Sequence, residues 1–375
     1  MMNTLKNYKI IKELGHGMVG TVYLIKYYND ADNKSKINKT NTKKTDIYAL
    51  KIEHVEKKDL KPNIKSEVWR ELNFYKNLGN KYPDQFVDLV EYDFIKDCNH
   101  VQKYAFDTNL FDKQIQNKIK KKASSSYCIR KIFNLVDGVL TNLIIKLNKN
   151  QIYSMIIQLS YSIKLLHKSN YIHGDLHSGN VGWIKTNKKY INCCFDNGKK
   201  NESESESESK SKSKSRNNEL KIKTFGYIYK LIDFGFVLNG SDKLNKREEK
   251  NFKEIINTEL GNIKYFFVDD KFWIWLDKNK LEYNPDKIYN QIKKTKEFEI
   301  IKKFTSDVKD QLFLYDILFQ QQYQKIICGE HFKKTIPRKL YIPVEDILFI
   351  VKLSKNPDLI IKYFYDKIYS EKIEN

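Results

Sequence analysis

An α+β fold in two lobes is predicted: a small β-rich N-terminal lobe over about residues 8–137 and a larger, mainly helical C-terminal lobe over about 138–365. Three features carry that expectation. Residues 8–26 alternate polar side chains with Ile, Val, Leu and Tyr and are broken by Gly15, Gly17 and Gly20, the pattern of two strands joined by a glycine turn. Val68, Leu72, Tyr75 and Leu78 recur at helical spacing within 64–78, as do Ile152, Ile156, Leu159, Ile163 and Leu166 within 151–169. From 250 to 369 the periodicity is mostly helical, with no internal repeat.

The remaining elements follow in order. Residues 29–46 hold Lys, Asn, Asp, Ser and Thr with little to bury, and read as a polar hairpin insertion before a third strand at 47–53. Strands are expected at 86–94 and 127–136, separated by a lysine-rich stretch, 113–126, that is helical or loose. After the apolar helix at 151–169 a short loop carries 171–180. Residues 187–218 are expected to be a low-complexity disordered insertion, because the alternating Glu-Ser and Lys-Ser tract from Glu202 to Lys214 cannot offset its ordering entropy by burial. A strand resumes at 225–232, and 366–375 reads as a C-terminal tail.

Composition bounds the class. At 375 residues, 41% hydrophobic and 13% aromatic, the chain has ample material for a core. The formal charge of +21 comes from 68 Lys and Arg against 47 Asp and Glu. Lysine is accompanied throughout by Asn, Ile and Tyr, so the excess reads as compositional bias, and with no recognised motif beside it nucleic acid is not expected as the primary partner. Cys98, Cys128, Cys193, Cys194 and Cys328 lack C-x-x-C spacing and read as thiols of a reducing intracellular compartment such as the cytoplasm. No signal peptide or membrane-spanning run is apparent.

Chemistry enters with Leu14-Gly15-His16-Gly17-Met18-Val19-Gly20-Thr21-Val22. Glycines at these offsets let backbone N–H groups approach phosphate oxygens. A dinucleotide site would need the glycines to open a helix, whereas the β-branched and aromatic residues from Thr21 onward continue as strand, which suits a hairpin lid over a triphosphate.

Here the sequence resembles the protein kinase superfamily, and further motifs appear in the family's order over residues 8–235. Tyr48-Ala49-Leu50-Lys51 is similar to V-A-I-K, which implies that Ala49 borders adenine and Lys51 grips the α- and β-phosphates. Glu71 is expected to aim Lys51 through an ion pair, with Glu67 as runner-up one turn earlier. His173-Gly174-Asp175-Leu176-His177-Ser178-Gly179-Asn180 resembles H-R-D-L-x-x-x-N, making Asp175 the catalytic base and Asn180 a magnesium ligand. Asp233-Phe234-Gly235 supplies the second magnesium ligand, Asp233. Hard oxygen donors point to Mg2+ rather than zinc.

What the resemblance implies is a bilobal protein-kinase-like fold and an ATP-dependent serine/threonine protein kinase acting on a protein hydroxyl. The alternatives are a small-molecule kinase of the same fold and a pseudokinase scaffold. The adenine-contacting hinge is expected around 133–138, and Asp310 is the candidate for a buried aspartate of the lower lobe. Three departures stand out: Gly174 replaces an arginine, His177 a lysine, and 242–260 is a charged segment with helical potential in place of an A-P-E platform.

Overall fold

The computed structural model describes residues 8–17, 20–27, 47–96, 98, 101, 113–195, 218–267, 346, 350 and 356–370. Met18, Val19, the polar insertion at 29–46, the Glu-Ser and Lys-Ser tract and Asp310 lie outside those residues. The chain forms two compact units, both mixing helix and strand.

The first unit comprises residues 1–137 and regains 173–175 and 231–249. Its frame is a five-stranded antiparallel sheet of β1 (Tyr8–His16), β2 (Gly20–Tyr27), β3 (Ile47–Val55), β4 (Leu89–Lys96) and β5 (Tyr127–Asn134), in the order β1-β2-β3-β5-β4. Alternation decides which side chains go inside: Tyr23 and Ile25, Leu50 and Ile52, Cys128 and Ile132 meet in one buried cluster. Each large aliphatic side chain so buried contributes about 1.5–3 kcal/mol. Helix α1 (Glu67–Asn77) buries Val68, Leu72, Phe74 and Tyr75, and α2 (Lys113–Ala123) accounts for the lysine-rich stretch.

Cys98, just beyond β4, is disulfide-bonded to Cys128 on β5, 30 residues on. This corrects the expectation of thiols throughout. Strand pairing brings their Cα atoms to 5.7 Å, within bridging range, so no C-x-x-C spacing was needed. Cysteine usage therefore no longer argues for a reducing compartment.

The second unit comprises 138–172, 176–230 and 250–375. Two-residue β6 (Gly138–Val139) and the single turn α3 (Leu140–Leu143) lead to the 20-residue α4 (Lys149–Lys168). A capping box starts α4: the Asn148 side chain accepts from Gln151 N, and Gln151 Oε1 accepts from Asn148 N, both at 3.0 Å. Residues 152–163 of α4 are buried on every side, so it is a central helix rather than a surface one. Its buried Gln158 receives the Tyr229 N–H at 3.0 Å and donates to Tyr227 O, which fixes β11 (Tyr227–Leu231) over it. Two-residue β7 (Tyr171–Ile172) follows α4, and β8 (Val181–Lys185) sits between β11 and β6 in a three-stranded sheet.

Two boundaries differ from expectation. Residues 187–218 are not wholly disordered insertion: β9 (Tyr190–Phe195) pairs antiparallel with β10 (Asn218–Lys223), from Tyr190 opposite Lys223 to Phe195 opposite Asn218. Buried Ile191, Cys193 and Ile222 supply the apolar side chains that the charged tract lacks. Nor does a tail begin at 366. After two-residue β12 (Leu238–Asn239) and α5 (Lys246–Thr258), helix α6 runs Pro357–Ser370. Ile368 is buried, and Tyr369 donates its hydroxyl to Lys221 O at 3.0 Å, so the last turn is held. Phe364 packs on Tyr153 of α4, and both Tyr153 and Lys367 bond the buried Asp346. Among the described residues, no helix is long and apolar enough to cross a membrane.

Candidate functional site

Strand β3 carries Lys51 opposite Val22 of β2 and Lys131 of β5. The chain returns to this unit at Leu231, whose N–H donates to Gln85 O at 2.9 Å while its carbonyl accepts from Val87 N at 3.2 Å. Thus anchored, Asp233 takes a left-handed backbone, φ 59°, uncommon for a residue with a side chain and a strain of roughly 1–3 kcal/mol. Lys51 Nζ donates to Asp233 Oδ1 at 2.7 Å, across 182 residues of sequence.

Phe234 is fully buried, stacked on Phe74 at 3.9 Å and edge-on to Tyr75 and Phe86. His173 lies 4.6 Å from its ring and donates from Nε2 to Ile232 O at 2.9 Å. This positions the loop that ends in Asp175, whose side chain is exposed. Between them Gly174 has φ +81°, and a Cβ there would stand 2.4 Å from Phe236 O. Arginine, or any other side chain, is therefore excluded by the backbone at this position.

The ion pairing differs from the sequence expectation. Glu71 does not bond Lys51: its Oε2 takes the Lys131 ammonium at 2.5 Å, while Glu67 pairs with Lys122 at 3.2 Å. Lys51 Nζ instead contacts Glu53 Oε1 at 2.8 Å as well as Asp233, and Glu53 Oε2 reaches Lys131. The cause is strand register. Lys51 and Lys131 are direct partners across β3 and β5, so two ammonium groups share one face and the carboxylates interleave with them. Glu53 and Lys131 went unnoticed in the sequence because one lysine among so many carries no signal.

Burial by itself would lower the Lys51 pKa, but Asp233, then Glu53 and Glu71, hold it well above its ordinary range. Glu53, against the same burial, is driven far below the usual carboxylate range by Lys131 and Lys51. Asp233 is lowered by Lys51, with burial opposing. Glu71 moves the other way: burial raises it, and Lys131 and Lys51 only partly compensate. Its Oε1 and the Tyr75 hydroxyl are buried with no hydrogen-bond partner among the described residues. Neighbouring Arg70 bonds Glu248 of α5 at 2.6 Å, a pair with no sequence signature.

The glycine turn separates into two kinds of glycine. Gly17 N donates to Gly20 O at 2.8 Å, closing the turn. Among the described residues, a Cβ on Gly15 or Gly17 would meet nothing within 4 Å, whereas one on Gly20 would stand 2.6 Å from Glu53 Cγ and 2.8 Å from Ile52 O. Gly20 is thus required by the approach of β3, and no packing among the described residues requires Gly15 or Gly17. Leu14 and His16 are exposed, Thr21 is buried, and half-buried Ala49 lies opposite Leu24 and Phe133.

Asn180 belongs to the second unit, where it is buried at the end of a short 3-10 turn, Ser178–Asn180. Its N–H donates to His177 O at 2.9 Å, and His177 Nδ1 accepts from Gly179 N at 3.1 Å. The structure thus gathers Lys51, Glu71, Asp175 and Asp233 in one unit and Asn180 in the other. No family model matches the chain, and no curated protein matches it.

Proposed function

We propose that the chain is an ATP-dependent serine/threonine protein kinase of the bilobal protein-kinase-like fold, transferring the γ-phosphoryl group to a protein hydroxyl. The observation that carries the reading is the 2.7 Å contact of Lys51 Nζ with Asp233 Oδ1, two residues that only the motif order links. The buried Phe234 and the His173 tie to Ile232 support it further.

Lys51, kept protonated by its carboxylate neighbours, grips phosphate oxygens. To do so it leaves Asp233, and Glu71 Oε1, which has no hydrogen-bond partner among the described residues and already acts on Lys51 electrostatically, is the acceptor at hand. Asp175 orients the attacking hydroxyl. As the new P–O bond forms and the bond to the β-phosphate bridging oxygen breaks, Asp175 takes the hydroxyl proton, a contribution of about 10²–10⁴ in rate. The exposed Asp233 carboxylate is a hard-oxygen donor fit for Mg2+, and the sequence pattern adds the Asn180 amide oxygen. When bound, magnesium supplies charge neutralisation at the β- and γ-phosphates.

Transfer from radiolabelled ATP to a peptide array, with Lys51→Met and Asp175→Ala as controls, tests the reading. Wild type labelling no more than either variant refutes it. One observation favours a small-molecule acceptor as the second reading: residues 246–258 form α5, tied by Glu248 to Arg70, where a peptide platform would lie. A metabolite panel run beside the array decides between the two.

A further inference from the structure

Side chains alternate along a strand, so on β3 the row Leu50, Ile52, His54 faces the buried apolar cluster while Lys51 and Glu53 face the other way. His54 is therefore an imidazole at an apolar position, and it is only 6% exposed. Its Nδ1 donates to Ser125 O at 2.9 Å, which satisfies that nitrogen. Two sulfurs lie beside the same ring. Strand register sets His54 directly opposite Cys128 of β5, and Cys98, two residues past the end of β4, packs on the same cluster. One ring nitrogen of His54 and the two sulfurs lie within 4.8 Å of one another, and His54 Nδ1 stands 3.7 Å from Cys128 Sγ.

We propose that His54, Cys98 and Cys128 form a zinc site when the two cysteines are reduced. Two thiolates and an imidazole are a donor set that suits zinc, at about 2.3 Å to sulfur and about 2.0–2.1 Å to nitrogen, and soft sulfur disfavours Mg2+. Nitrogen and sulfur ligands of one tetrahedral zinc ion stand about 3.6 Å apart, close to the spacing of His54 Nδ1 and Cys128 Sγ. Three protein ligands leave the fourth position to water.

In the disulfide the sulfurs are joined to each other and offer no thiolate. A thiol reductant opens the site: two of its thiols give up two electrons and two protons, become a disulfide, and leave Cys98 and Cys128 as thiols. Zinc then displaces both thiol protons. Ligation through Nδ1 moves the ring proton of His54 to Nε2 and releases Ser125 O, but Ser125 keeps its hold on β3 because its hydroxyl donates to Val55 O at 2.6 Å. One corner of the sheet is thus stapled by a disulfide under oxidising conditions and by zinc under reducing ones. The site lies on the face of β3 opposite Lys51 and is independent of the kinase reading.

The experiment uses the full chain, metal-free, as oxidised wild type and as wild type reduced with a phosphine. Three reduced variants accompany them: His54→Gln, Cys98→Ala, and a triple change of Cys193, Cys194 and Cys328 to Ala that retains only Cys98 and Cys128. Zn2+ affinity and stoichiometry are read by competition with a chromophoric chelator, and Co2+ serves as a spectroscopic stand-in. Reduced wild type and the triple variant are expected to bind one Zn2+ per chain at least about 100-fold more tightly than the oxidised chain or Cys98→Ala. Their cobalt forms should show a thiolate-to-metal charge-transfer band and the visible bands of a tetrahedral ion. His54→Gln is expected to bind about 10–100-fold more weakly. Zinc should raise the urea midpoint of reduced wild type and leave that of the oxidised chain unchanged.

Equal zinc affinity in the oxidised and reduced chains, binding retained in Cys98→Ala, or binding lost in the triple variant overturns the proposal. So does wild-type affinity in His54→Gln with only its stability lowered, which would confine His54 to holding Ser125. If His54→Gln does not fold, zinc-edge X-ray absorption of reduced wild type decides: two sulfurs with imidazole scattering support the site, and sulfur without imidazole overturns it. If the reduced chain unfolds without metal, recovery of its circular dichroism at one equivalent of Zn2+ supports the proposal and no recovery at excess zinc overturns it.

Discussion

Alanine at position 174 is a small change with a large expected effect. The backbone there has φ +81°, and an L side chain in left-handed geometry costs about 1–2 kcal/mol. The new Cβ would lie 2.4 Å from Phe236 O and 3.2 Å from Phe236 C. These are main-chain atoms, so no rotamer change relieves the clash, and forced displacement in a packed region adds about 1–3 kcal/mol. The total of about 2–5 kcal/mol corresponds to a fall in melting temperature of roughly 4–20 °C for a unit of this size. Moving Phe236 also disturbs Phe234, two residues back, and with it Asp233, so phosphoryl transfer should fall alongside stability. Circular dichroism melting of Gly174→Ala beside wild type is the assay. A melting temperature unchanged within about 1 °C would refute the claim that backbone geometry forces glycine here.

Other expectations follow from the same geometry. Gly15→Ala and Gly17→Ala, whose Cβ atoms would meet nothing within 4 Å among the described residues, should keep stability within about 0.5 kcal/mol while raising KM for ATP; a drop in stability with KM unchanged counts against a phosphate-binding turn. Glu53, ordinarily near 4.5, is lowered by Lys131 and Lys51 against burial, so on acidification the unfolded chain takes its proton first and the stability it confers, full above about pH 4.5, is lost as pH falls. Urea midpoints should therefore drop progressively as pH falls below about 4.5, less so in Glu53→Gln, which should already be weaker at neutral pH by about 3–5 kcal/mol; equal acid sensitivity in both proteins contradicts this. Reducing the Cys98–Cys128 bond releases a 30-residue loop and should cost about 3–4 kcal/mol, read as a lower urea midpoint with dithiothreitol in wild type and no dithiothreitol effect in Cys98→Ala.

What was legible in the sequence is what local order encodes. The turn at Gly17, the strands on either side of it, helix α4 with its apolar faces, and the delivery of Asp233 at a strand end all rest on residues within a few positions of one another. The contact of Lys51 with Asp233 was reachable because each sits in its own local pattern. Lys131 sits in none: its contacts with Glu53 and Glu71 arise from the register of β3 on β5, fixed by hydrogen bonding between segments nearly 80 positions apart, and no window around Ile129 to Phe133 shows them. The same register diverted Glu71 from its expected partner. Cys98 and Cys128 were misread for the same reason, since sheet order and not spacing made them neighbours. Gly174 looked like a lost arginine until the carbonyl of Phe236 was seen beside it.

The ladder between β9 and β10 closes with Phe195 opposite Asn218. Whatever the chain does between those positions, it departs and comes back at a single point, so its length is decoupled from everything that the ladder rests on. A reporter protein or affinity handle spliced there, with its own termini close together, should leave the host's folding undisturbed, which makes this the natural port for following the protein in cells.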